Sequence, residues 1–195
     1  MDKTMTANAD NSSGRRWSPW KMAAWAAPAL LMLTMWIAMQ LTDEVDWSAN
    51  DFVFAGVVLY GPLAAYEMVV RMTDNTWYRA GAAFALASAV MLVWGNGALG
   101  ITDTDADGWY LGVLAVGVIS AFIARFRAHG MALAMFAMAL TMALVSVSAL
   151  VAGMIGPNNS AIQIMGITGF YVAMFAGSAV LFREAAREGS EGGAE

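Results

Sequence analysis

Residues 130–154 read GMALAMFAMALTMALVSVSALVAGM, and not one of them is ionisable. Crossing a hydrocarbon core of roughly 30 Å takes about 20 helical residues, so this stretch is long enough to span a bilayer. Working outward, the chain turns polar at RFRA (125–128) on one side and at PNNS (157–160) on the other. The same alternation recurs along the sequence. Apolar segments of spanning length fall at about 21–41, 52–71, 79–100, 109–126, 130–154 and 163–183. The linkers between them are short, which makes neighbouring helices antiparallel partners. Of the 195 residues, 59% are hydrophobic and 13% charged, more apolar surface than a soluble domain of this size can hide. The sequence therefore predicts an all-α polytopic membrane protein, a six-transmembrane-helix bundle of three antiparallel hairpins.

Charge sets the direction. Lys and Arg accumulate on the cytoplasmic side of a membrane. With the N-terminus inside, the inner segments hold Lys3, Arg15, Arg16, Lys21, Arg71, Arg79, Arg125, Arg127, Arg183 and Arg187, all 10 basic residues of the chain. The outer loops hold none of these, and carry Asp43, Glu44, Asp46, Asp51, Asp103, Asp105 and Asp107 instead. A five- or seven-span arrangement would break that division, so both termini are placed in the cytoplasm. Trp17, Trp20 and Trp77 fall at the inner interface and Trp47 and Trp109 at the outer one, where amphipathic rings prefer to sit. Residues 1–16 and 188–195 are polar without an apolar period and read as disordered cytoplasmic tails flanking a transmembrane domain over 17–187. The first apolar stretch is longer than a signal-peptide core and lacks a small-x-small cleavage site, so it reads as a retained span.

The segments VWGNGALGI (93–101), YLGVLAVGVISAFIARFRAHGMALAMFAMAL (110–140) and GSAVLFREAAR (177–187) resemble a group of small uncharacterised proteobacterial inner-membrane proteins. The resemblance covers roughly residues 79–187 and lies in the pattern of apolar and small residues. It implies a compact bundle in a bacterial inner membrane, and no particular activity.

Polar chemistry has few places to reside. ITDTDADGWYLG (101–112) sets aspartates at 103, 105 and 107 before Gly108, the front half of an EF-hand loop. Position 12 of that pattern, where a bidentate glutamate belongs, is Leu114. The loop reads as a solvated cap with at most a weak calcium site on Asp103, Asp105 and Asp107. Glu67 is the ionisable residue set within a span, where charge is costly. Two readings stand: an i,i+4 ion pair with Arg71, or a polar pocket formed with Tyr60, Tyr66 and Asn96. Asn96 lies among Gly95, Gly97 and Gly100, which suits close helix approach and an interhelical hydrogen bond. Small residues at four-residue spacing, Gly108/Gly112, Gly130/Ala134 and Ala173/Gly177, suggest tight helix contacts. Met131, Met135, Met138 and Met142 form a stripe, a pliable packing face or, less simply, a copper(I) path.

Several function classes are excluded. The chain has no cysteine and a single histidine, His129, so disulfides, thiolate chemistry and bis-histidine haem cannot be built from it. It carries no P-loop, HExxH or GxSxG motif and no basic patch for nucleic acid. The expectation is a non-enzymatic inner-membrane protein without a resident cofactor. Its partners would be the lipid bilayer and other membrane subunits or further copies of itself, in an accessory or packing role. The alternative is a small-solute or ion transporter or channel with its polar site around Glu67.

Overall fold

The computed structural model describes residues 19–99, 101–102, 104–157 and 159–191. Among them are six α-helices and no strand: α1 (Pro19–Leu41), α2 (Ala49–Met72), α3 (Thr76–Leu99), α4 (Asp107–Ile123), α5 (Ala128–Val151) and α6 (Ala161–Glu191). Five are long and apolar enough to cross a membrane; α4, with 17 residues, is the shorter one. At 1.5 Å per residue it measures about 26 Å.

The starts of α2, α3 and α6 are set by local capping, whereas α4 and α5 begin without a side-chain cap. Ser48 caps α2 in a reciprocal box: its N–H and Oγ both donate to the Asp51 carboxylate, at 2.8 and 2.7 Å. Asn75 caps α3 by accepting the Tyr78 N–H at 2.8 Å, and Ser160 caps α6 by accepting the Gln163 N–H at 3.3 Å. The ends differ more from expectation. Helix α4 stops at Ile123 rather than near 126, because its last carbonyls are taken by a Schellman turn. The Phe126 N–H reaches the Ala121 carbonyl at 3.2 Å and the Arg125 N–H reaches that of Phe122 at 3.0 Å. Helix α6 continues eight residues past the expected 183, over part of the stretch read as a tail. FREAAREGSE is rich in helix formers, and an Arg187–Glu184 pair at 2.7 Å adds a local contact.

The chain divides into two compact units, Met1–Leu63 and Ala64–Glu195. In the first, α1 buries only Pro28, and the α2 residues of that unit only Ala55. Trp25 stacks on Tyr60 with centroids 5.9 Å apart.

In the second unit α6 packs mainly on α5 and on α3, and α5 also packs on α4; α3 and α4 touch little. The buried side of α6 is Ile164, Thr168, Tyr171, Phe175, Ser178, Phe182 and Ala185. Those positions repeat at alternating steps of four and three, the seam of interlocking helices. Helix α5 is apolar on every side yet has two faces. Met131, Met135, Met138 and Met142 turn inward, while Leu133, Phe136, Leu140, Leu144, Val147 and Val151 stay exposed. A helix apolar all round, with one flank uncovered, is at home against lipid and not in water. The exposed faces therefore fit an integral membrane protein.

Glycines mark where helices approach most closely. A Cβ at Gly130 would come within 2.5 Å of the Ala124 Cβ and 3.1 Å of its Cα. A methyl at Gly117 would overlap the Met138 thioether, and one at Gly177 would lie 3.3 Å from the Phe84 ring. The expected Gly108/Gly112 contact does not form; neither glycine has a neighbour within 4 Å of such an atom. Both lie on the exposed side of α4.

Gly130→Ala should therefore destabilise the protein in detergent by about 1–3 kcal/mol, since the clash is with backbone and a short side chain. Gly112→Ala meets nothing and should be neutral or stabilising by roughly 0.5–1 kcal/mol. Thermal unfolding of the two variants side by side checks the placement of the α4–α5 contact.

Candidate functional site

Three places concentrate the polar and concave features of the second unit. The first is the turn between α3 and α4. One oxygen of Asp107, Oδ1, accepts from the Ile101 N–H at 3.0 Å, the Thr102 N–H at 2.7 Å and the Thr102 hydroxyl at 2.8 Å. Asn96 Nδ2 donates to the Asp107 carbonyl at 3.1 Å, while its buried Oδ1 meets no donor among the described residues. The Thr102 carbonyl in turn accepts the Gly156 N–H at 2.7 Å, tying this turn to the one between α5 and α6. Asp107 thus holds the turn together. Three donors already surround Oδ1, so that oxygen has no lone pair left to offer a cation. Asp105 is exposed, and Asp103 lies outside the described residues. No group of three or more acidic or histidine side chains suited to a metal occurs among the described residues.

The second place is Glu67. Its Oε1 accepts from Nε and Nη2 of Arg71, both at 3.3 Å, with Glu67 24% and Arg71 72% exposed. That is the i,i+4 pair, screened on the arginine side. Arg79 holds the end of α2, donating to the Val70 and Thr73 carbonyls at 2.8 and 2.7 Å and to Asp74 at 2.8 Å. Asn96 stands roughly 25 Å further along α3 from Arg79, so it does not join Glu67 in one pocket. Tyr66 is half-buried near Glu67 on α2, and Tyr60 belongs to the first unit, stacked on Trp25. What Asn96 meets is Asp107, a pairing the sequence had assigned to two separate sites.

The third place is a cavity of about 750 Å³ between the end of α2 and α3, α4 and α5. Ala82, Ala85, Ala89 and Ala121 leave the space, and Met131, Met135 and Met138 form its floor. Tyr78, Thr73 and Phe126 stand at one end. The Tyr78 hydroxyl is already used, donating to the Phe126 carbonyl at 2.6 Å. The inward methionines accordingly serve as packing and lining side chains.

Sequence reasoning missed the buried hydroxyls that join the helices. Thr168 donates to Ser146 at 2.6 Å, and Ser146 and the Tyr110 hydroxyl share a bond of 3.1 Å. Tyr171 reaches the Met91 carbonyl at 2.8 Å, and Ser178 that of Gly81 at 2.8 Å. Glu188 accepts from Trp77 Nε1 at 2.6 Å and Asn75 Nδ2 at 3.1 Å, joining α6 to the start of α3. The available signal was Gly95: a Cβ there would sit 3.0 Å from the Tyr171 oxygen, so the glycine makes room for that bond.

Removing the Asp107 acceptor leaves two buried backbone donors unpaired, so Asp107→Ala should cost about 2–3 kcal/mol of stability. Asp105→Ala should stay within roughly 0.5 kcal/mol. Glu67→Gln should lower stability only modestly, by about 1 kcal/mol or less, because the pair is partly exposed. Chemical or thermal unfolding in detergent measures all three.

No family model, no curated protein and no solved structure matches the chain, so its function has to be read from its own residues.

Proposed function

We propose that this chain is a non-enzymatic integral protein of a bacterial inner membrane, acting as an accessory or packing subunit of a larger membrane assembly or as a homo-oligomer. The observation that carries the reading is how its helices are covered. The interior formed by α3, α5 and α6 is closed by Met142, Phe175, Phe182 and Tyr171, and its hydroxyls are spent on one another or on carbonyls. A transporter needs a polar path, and the 750 Å³ cavity is lined almost wholly by apolar side chains. Helix α1, by contrast, leaves Trp20, Leu30, Leu33, Trp36 and Leu41 exposed. Such a face suits contact with lipid and with partner helices.

The six-span arrangement of three antiparallel hairpins belongs to the same proposal. Its support is the order of contacts. Along α4 and α5, Tyr110 meets Ser146, Gly117 meets Met138, and Ala124 meets Gly130, so one number falls as the other rises. The α3–α6 contacts do likewise, from Trp77–Glu188 through Gly81–Ser178 to Met91–Tyr171. At the acidic outer turn, calcium would find at best the weak affinity of extracellular modules, roughly 10⁻⁴–10⁻³ M. An Asp105→Asn-sensitive calcium shift in the unfolding midpoint would contradict that.

Purification in a mild neutral detergent, followed by mass measurement of the intact particle, tests the role. A defined assembly with other subunits or copies is expected; a lone monomer at all concentrations overturns it. Reporter fusions after residues 46, 105 and 158 should report the outer side, and those after 75, 128 and 190 the cytoplasm. One reversed reporter at 75 or 128 would sink the six-span arrangement.

A further inference from the structure

We infer that the cavity between α2, α3, α4 and α5 takes an acyl chain of an anionic phospholipid, whose phosphate is held by Arg125 and Arg127 at the α4–α5 turn. The volume of about 750 Å³ is that of pockets that enclose a small molecule, about 300–1,000 Å³. A polar solute would lose its hydration here and find nothing in return, because the Tyr78 hydroxyl is already bonded to Phe126. A hydrocarbon chain loses nothing.

The charge at that end selects the head group. Arg71 is neutralised by Glu67, and Arg79 by Asp74 and two carbonyls. Arg125 and Arg127 are exposed, and neither guanidinium has an ion pair or hydrogen bond among the described residues. They flank Phe126, whose side chain lines the cavity. Guanidinium groups match phosphate oxygens in geometry as well as charge.

The backbone gives a second line of support. Arg125 and Phe126 adopt φ values of 50° and 56°, the left-handed region. Helix α5 ends in the same turn: Met154 N–H to the Ala149 carbonyl at 2.9 Å and Gly153 N–H to that of Leu150 at 3.2 Å. There the left-handed residue is Gly153, at φ 70°. At the matching position α4 carries an arginine, which bears a strain that glycine would not. A strained backbone position kept next to Phe126, which lines the cavity, is the pattern of a binding position.

The test uses the full chain in neutral detergent and follows its unfolding midpoint with added phosphatidylglycerol or phosphatidylcholine of identical acyl chains, or with inorganic phosphate alone. Phosphatidylglycerol at saturating concentration should raise the midpoint by on the order of 5 °C, with little effect from the other two. Arg125→Gly with Arg127→Gln should abolish that preference while leaving the lipid-free midpoint unchanged or higher. Ala85→Trp should fill the cavity and abolish the shift; Ala89→Leu, a milder change, should weaken it if the tryptophan variant does not fold. Equal shifts with both lipids, an equal shift with phosphate alone, or a preference that survives the arginine changes would overturn the assignment. So would a full shift retained in a folded cavity-filling variant.

Discussion

Hydroxyl-to-carbonyl and hydroxyl-to-hydroxyl bonds between helices are what the rest of this structure depends on. Against lipid, burying a leucine between helices gains little, because the hydrocarbon outside is as apolar as the neighbour inside. Association has to come from close packing and from polar groups that find partners only in one arrangement. Ser178 on the Gly81 carbonyl and Tyr171 on that of Met91 each join two helices at a definite height, and the Thr168–Ser146–Tyr110 chain joins three. Each is modest alone, about 1 kcal/mol. Their combined effect is register, since a slip of one turn would break all of them together.

Small residues set the distances over which those bonds form. Gly81 faces the Phe182 ring, with 3.2 Å from a would-be Cβ to the nearest ring carbon. On the same helix Gly95 leaves space for the Tyr171 hydroxyl. Tyr78 completes that side by meeting Phe182 edge-on, centroids 4.9 Å apart. Aromatic rings on α6 and α3 therefore interlock only where glycine or a hydroxyl partner permits it. At the far end of α3, Asp107 and Thr102 do the equivalent for the turn, gathering N–H groups that a chain entering or leaving a bilayer cannot leave bare.

The helices and their approximate limits were legible because length and hydropathy alone decide them. Which face turns inward was not. In water an inward face is the apolar face, and the period shows; here Ile162, Met165, Phe170 and Val180 on the outside of α6 are as apolar as Ile164, Phe175 and Phe182 inside. The discriminating signal is small or hydroxyl side chains at steps of three and seven, Thr168, Tyr171, Ser178 and Ala185, a weaker pattern to read. The i,i+4 relation of Glu67 and Arg71 was readable because it is local. Asn96 with Asp107 was not, because it depends on how the turn between them folds back. The shortening of α4 was hidden as well: nothing in ARFR announces a left-handed residue when glycine is missing from it.

The slight contact between α3 and α4 follows from the same rules. Helix α3 is held by α6 and helix α4 by α5, and between them stand Ala82, Ala85, Ala89 and Ala121, too small to close the gap. The resulting space of about 750 Å³ is open on one side rather than enclosed, so the medium around the protein can enter it. Water suits the space poorly, because each ordered molecule needs polar partners and the walls offer almost none. An open gap with apolar walls that water does not suit is a place for hydrocarbon, and a bilayer supplies it.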